Sequence, residues 1–161
     1  MMTNLCCEVL SALTGQTLAT AESCTGGMLG AGLTDVPGSS TVYKGGVISY
    51  TNDVKERLLG VPKDLLSREG AVSAPVAEAM ALGACKVLCA DYAVSVTGLA
   101  GPGGDDYGNP VGTVYIGCAS PERIISKVYH FQGNRESVRK QAAVSALELL
   151  LHEVKRNGGN L

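Results

Sequence analysis

A chain of 161 residues is the size of one domain with a single core, and its composition, 45% hydrophobic and 17% charged, excludes intrinsic disorder. A formal net charge of −2 offers no global attraction to nucleic acid or to an anionic membrane, so neither is an expected partner. No apolar run reaches the roughly 18 residues of a spanning helix, and residues 1–12 hold no basic residue, so no secretory signal is expected and the expected location is cytoplasmic.

Residues 4–14 read as a short helix with Val9, Leu10 and Leu13 facing a core, and residues 17–22 as a strand. The small-residue turn Ser23-Cys24-Thr25-Gly26-Gly27 opens a helix through about Leu33, and Pro37-Gly38-Ser39-Ser40 is a loop by its turn chemistry. A second strand is expected over 45–51. Asn52 then caps a short helix that carries Lys55 and Leu58 and is ended by Gly60 and Pro62. Ser73-Ala74-Pro75 places serine at a cap and proline in the first turn of a helix to about Ala90, with Val76, Met80 and Val87 along one side. Residues 92–96 form a buried-type strand, and 111–119 with 124–131 a hairpin around Ser120-Pro121-Glu122. The last helix, from about Arg135, carries a core stripe of Val144, Leu147, Leu151 and Val154, and residues 157–161 are expected to fray.

Strands and helices interleave, with one later pair of adjacent strands. That order implies an α/β fold, a three-layer single domain over residues 1–161 with a mixed β-sheet flanked by helices. Most of the six cysteines (6, 7, 24, 85, 89 and 118) read as small buried hydrophobes. His130 and His152 are isolated, so no metal site and no cofactor is expected.

In open α/β sheets, chemistry gathers where strands end and glycine-rich turns lead into helices. Three places fit: residues 22–27, 49–55 and 97–104. No Walker loop, Rossmann glycine triplet or Gly-x-Ser-x-Gly elbow is present, and two isolated histidines are a poor supply of bases. Ser23 is either an ordinary helix cap or a nucleophile whose neighbouring amides stabilise an oxyanion. Cys24, near a helix N-terminus, is its rival, and Ser40 is either a turn serine or a third candidate. Lys55 falls in a first helical turn, where the helix dipole disfavours the ammonium form; burial against Tyr50 would act in the same sense, making the amine a general base. Tyr50 is a strand aromatic that could also bond the nucleophile or stack on a substrate ring. The unhindered amides of 97–104 suit a phosphate or ribose, as do Arg135 and Arg139, four apart behind an Asn134 cap, although solvent is the usual place for such arginines.

Together these segments resemble the CinA C-terminal domain family. The resemblance rests on Ala21-Glu22-Ser23-Cys24-Thr25-Gly26-Gly27, Pro37-Gly38-Ser39-Ser40, the run GVISYTN over 46–52 with Lys55, and Gly70-Ala71-Val72-Ser73. Gly98-Leu99-Ala100-Gly101-Pro102 and Pro110-Val111-Gly112-Thr113-Val114 complete the series. It covers nearly the whole chain. Stand-alone members are nicotinamide-nucleotide amidases, so the resemblance implies a Ser/Lys hydrolase that deamidates nicotinamide mononucleotide for pyridine-nucleotide recycling. It makes Ser23 the preferred nucleophile, Lys55 the base, Tyr50 a supporting hydroxyl and Ser40 an alternative nucleophile or orienting group. Glu22, Thr25, Gly26, Gly27, Thr97, Gly98, Ala100 and Gly101 would contact substrate, with Arg135 or Arg139 near the phosphate. Family members often carry lysine where this chain has Asn109, and Asp105 and Asp106 add negative charge nearby. Some relatives have a further pyrophosphatase-type domain, for which no segment is expected here. A homo-oligomer acting on a small-molecule nucleotide is expected; the alternative is a catalytically silent ligand- or partner-binding module.

Overall fold

The computed structural model describes residues 1–158, and its five strands form one mixed sheet in the order β2-β1-β3-β4-β5. The strands are β1 (Leu18–Glu22), β2 (Tyr43–Ile48), β3 (Tyr92–Gly98), β4 (Thr113–Ala119) and β5 (Ile124–His130). β1 pairs in parallel with β2 and β3, while β4 is antiparallel to both β3 and β5. The carboxyl ends of β1, β2, β3 and β5 therefore lie at one edge of the sheet.

Helices cover both faces, giving the expected three layers. α1 (Met2–Ala12), α2 (Met28–Thr34) and α6 (Arg135–Arg156) share one core with Leu18, Val94 and Val96. α3 (Asn52–Leu59), α4 (Lys63–Glu69) and α5 (Ala74–Leu88) share the other with Ala19, Ala21 and Ala93. Strand periodicity explains the split, because successive residues of β1 and β3 point to opposite faces. The α5 face is lined by small residues, and α5 is itself rich in alanine, so helix and sheet approach closely. Ser95 Oγ donates to the Ala77 carbonyl at 2.5 Å, and a Cβ on Gly117 would overlap that same carbonyl.

Several boundaries differ from those read in the sequence. β2 starts two residues earlier than expected and ends at Ile48, so Tyr50 lies beyond the strand. Thr51, not Asn52, caps α3: its hydroxyl accepts from Val54 N at 3.4 Å, and Asn52 is already helical. α4 was not anticipated; it fits between Pro62, which serves as its cap residue, and Gly70. Ser73 holds the cap position of α5, but its hydroxyl donates to the Gly70 carbonyl instead of accepting from the helix. Val87, in the last turn of α5, is 54% exposed, and Val144 is only half-buried; Ala143 and Ala146 occupy the core side of α6. Cys6, Cys24 and Cys118 are buried as expected, but Cys7 and Cys89 are exposed and Cys85 is intermediate. Of the tail expected to fray, Asn157 closes α6 and donates to the Tyr92 hydroxyl at 3.1 Å, while residues 159–161 lie outside the described residues.

One packing constraint places the helix that carries Lys55. Gly83 of α5 lies against the Leu59 carbonyl at the end of α3, and a Cβ there would overlap the carbonyl. Gly83→Ala is expected to push α3 outward and lower stability by about 1–3 kcal/mol, the usual cost of overpacking. Urea unfolding checks this: the midpoint should fall with an unchanged slope.

Candidate functional site

A cavity of about 550 Å³ opens at the carboxyl edge of the sheet, where the ends of β1, β2 and β3 converge. Ser23 follows β1 directly and extends its ladder, with Ser23 N donating to the Val96 carbonyl at 2.9 Å. Lys55 sits in the first turn of α3, and only 2% of it is exposed. Its Nζ lies 3.1 Å from Ser23 Oγ and donates to the Ser49 carbonyl at 3.0 Å. Thirty-two residues apart in sequence, serine and lysine thus form a buried pair on the cavity wall.

Burial lowers the Lys55 amine to about 8, because the interior disfavours the ammonium form. The same cause acts oppositely on Cys24, whose thiol is pushed up to about 11 despite the nearby Arg139 and Lys55 charges. A protonated thiol is a poor nucleophile. Of the two neighbours, it is the Ser23 hydroxyl that meets the Lys55 amine.

The turn after Ser23 is organised from below by Glu22. Its buried carboxylate accepts from Thr25 Oγ1 at 2.7 Å, Gly27 N at 3.1 Å, Leu29 N at 2.9 Å and Gly30 N at 3.1 Å. These are the amides that a short helix leaves without intrahelical partners, so Glu22 caps α2 at a distance. The role of cap therefore belongs to Glu22 and not to Ser23. Glu22, Thr25, Gly26 and Gly27, expected to touch substrate, do not line the cavity; they build the turn that presents Ser23.

Thr97, Gly98, Ala100 and Gly101 do line it, as expected. Thr97 Oγ1 donates to the Ala71 carbonyl at 2.8 Å, which ties the end of β3 to residues 70–73. Asn109 ties the same segment from the other side, donating to the Val72 carbonyl at 3.1 Å and to Asp105 Oδ2 at 2.8 Å. With Ser73 on the Gly70 carbonyl, three successive carbonyls accept side-chain bonds. That arrangement gives the Gly-Ala-Val-Ser run a structural purpose the sequence alone did not reveal.

Across the mouth, Arg135 Nη1 donates to the Gly101 carbonyl at 2.7 Å and Nη2 to the Tyr50 hydroxyl at 2.8 Å. Tyr50 therefore bonds Arg135, not the nucleophile, and the residue is 55% exposed. Arg139, one turn further along α6, does not line the cavity and instead bonds the carbonyls of Cys24 and Thr25. Ser40 lies exposed in a short 3-10 turn (Ser39–Thr41) and is not part of the cavity wall. Asp106 and Tyr107 also line the cavity and were not anticipated as substrate contacts; an aromatic in a glycine- and aspartate-rich loop was the available signal. Among the described residues, no cluster of three or more His, Cys, Asp or Glu side chains could hold a metal ion.

Comparison with known proteins shows the family and the fold. The family model for the CinA C-terminal domain matches residues 3–154. A CinA-like protein of Thermosynechococcus vestitus is 52% identical over 88% of this chain and 35% of its own length. One from Mycolicibacterium gilvum is 47% identical over 94% of this chain and 36% of its own. The chain thus spans about a third of the length of the curated relatives it matches. Among solved structures, a competence-damaged protein (CinA) superfamily protein from Klebsiella pneumoniae 700603 has 32% identity and a TM-score of 0.94. That match covers 97% of this chain and 99% of the other. The competence/damage inducible protein CihA from Agrobacterium tumefaciens has 37% identity and a TM-score of 0.89, covering 94% of each chain. The chain belongs to the CinA C-terminal domain family.

Proposed function

We propose that this domain is an amidase that deamidates nicotinamide mononucleotide, with Ser23 as nucleophile and Lys55 as general base. The observation that carries the reading is the buried contact between Lys55 Nζ and Ser23 Oγ at 3.1 Å, in a cavity without histidine. A lysine amine near 8 supplies the base that a Ser/His arrangement would otherwise provide.

On this reading the reaction would run as follows from the Ser23–Lys55 contact. When Lys55 is neutral, Nζ keeps its N–H on the Ser49 carbonyl, and its lone pair is left for the Ser23 hydroxyl. Ser23 Oγ attacks the carboxamide carbon as its proton moves to Nζ, giving a tetrahedral oxyanion. The amides of Gly27, Leu29 and Gly30 serve Glu22, so the oxyanion falls to amides on the cavity wall, among them that of Cys24. Nζ returns the proton to the departing nitrogen, the C–N bond breaks and ammonia leaves an ester on Ser23. Water attacks that ester, Nζ takes its proton and passes it to Oγ, and nicotinate mononucleotide is released. Arg135, on the cavity rim beside the backbone of residues 101–104, is the seat for the phosphate.

Purified protein should release ammonia from nicotinamide mononucleotide in the presence of a chelator. Ser23→Ala and Lys55→Ala should each lose at least about a hundredfold in kcat, without further loss when combined. Cys24→Ala should keep most activity. Ammonia release by neither wild type nor variants would favour a binding module, and an essential Cys24 with a dispensable Ser23 would sink the serine mechanism.

The pH profile gives an independent check. Only the neutral amine accepts the proton, so kcat should rise as pH passes through about 8 and then level off. A flat profile from pH 6 to 10 would remove Lys55 from the role of base.

Arg135→Ala should raise KM for the mononucleotide roughly ten- to hundredfold, for a lost contact of about 1.5–3 kcal/mol. The riboside, lacking the phosphate, should be far less affected. Equal effects on both substrates would assign Arg135 to Tyr50 and Gly101 alone.

A further inference from the structure

Resting on the Ser/Lys reading, we infer that Arg139 is a positioning residue, whose guanidinium holds the Cys24 and Thr25 carbonyls and so fixes the turn that presents Ser23 Oγ to Lys55. Arg139 Nε donates to the Cys24 carbonyl at 2.9 Å and Nη2 to the Thr25 carbonyl at 3.2 Å. The Thr25 carbonyl also receives Met28 N at 3.1 Å, but the Cys24 carbonyl has no partner other than Arg139 among the described residues. Arg139 therefore supplies the partner that the Cys24 carbonyl finds nowhere else among the described residues.

The space for this contact is built into the sequence. Gly26 has φ +59, and a Cβ there would sit 3.2 Å from Arg139 Nη2, tight against the guanidinium. Four residues before Arg139, Arg135 points into the cavity rim, so one face of α6 brings one arginine to the substrate side and the other to the back of the nucleophile turn. Glu22 holds amides at the end of the turn and the start of α2, and Arg139 holds the Cys24 and Thr25 carbonyls. Peptide groups are planar, so a carbonyl held on one side sets the direction of the next N–H on the other. Without Arg139, the Cys24 carbonyl, in the second peptide plane after Ser23, loses its partner, while the Thr25 carbonyl keeps only Met28 N. Misplacement by about 1 Å is enough to cost on the order of a hundredfold in rate.

The expected signature is a loss in kcat with KM unchanged, the opposite of Arg135. Arg139→Ala should lower kcat about ten- to hundredfold, Arg139→Lys should recover part of it through one retained donor, and added guanidinium should raise the activity of Arg139→Ala. A second readout does not depend on the substrate: labelling of Ser23 by a fluorophosphonate, followed by mass spectrometry. Labelling should slow at least about tenfold in Arg139→Ala and recover partly in Arg139→Lys, with the folded fraction of each variant measured by its thermal transition. Labelling at the wild-type rate, or a raised KM with unchanged kcat, would overturn the inference. If wild type labels at Ser23 yet releases no ammonia from the mononucleotide, the substrate assignment fails and the positioning role stands. A wild-type Ser23 that does not label overturns the Ser/Lys pair itself and this inference with it.

Discussion

A lysine with 2% of its surface exposed is the constraint around which the rest of the site is arranged. An ammonium in such a place costs several kcal/mol unless it is paired with an opposite charge, and Lys55 has no carboxylate partner among the described residues. Its two polar contacts, Ser23 Oγ and the Ser49 carbonyl, suit a neutral amine as well as a charged one. The chain thus holds a lysine whose proton is loosely kept, and stability is given up for that property. Between about 8 and the usual lysine value near 10.5, the unfolded chain binds the proton more readily than the folded one. The native state therefore gains relative stability as pH rises through that window, and below it carries the full penalty.

Such an amine is useful only if the serine is held still. Neither residue could be brought into register by its own segment, because Ser23 ends β1 and Lys55 opens α3 after β2. The parallel pairing of β1 with β2, in which Glu22 stands beside Ile48, sets the two segments side by side. Ser49 N then donates to the Glu22 carbonyl at 2.8 Å, so the residue that bonds Lys55 is fixed to the residue that precedes the nucleophile. Sheet register, the Gly83 contact beneath α3 and the Glu22 carboxylate under the turn act on the same 3.1 Å distance.

The fold class and most elements were legible because period and turn chemistry are local. Ser23 and Lys55 were legible as well, one from its small-residue turn and the other from its place at a helix start. What escaped the sequence was long-range. The resemblance implied Glu22 as a substrate contact, but strand alternation turns its side chain to the α2 face, onto amides five to eight residues ahead. Arg135 and Arg139 look equivalent at i and i+4, and only the position of α6 against the nucleophile turn separates them. α4 was missed because seven residues bearing four charges give little helical periodicity. Ser40 was drawn in by its motif, yet the same glycine that makes its loop a turn leaves it on an exposed 3-10 segment.

The charged residues of the cavity wall bear on how a nucleotide would lie in it. Lys55 and Arg135 stand against Asp105 and Asp106. Asp105 is occupied, accepting from Tyr107 N and Asn109 N at 3.1 Å each and from the Asn109 amide. A lysine at position 109 would present a positive charge beside this loop; asparagine instead makes a neutral latch between Asp105 and the Val72 carbonyl. The 105–109 segment is thereby ordered without becoming attractive to an anion, and Asp106 makes it less so. On the proposed reaction, a phosphate is consequently directed toward Arg135 and the backbone of residues 101–104. On that same proposal, Asp106 would be complementary in charge to the cationic pyridinium ring of the mononucleotide, as Arg135 would be to its phosphate.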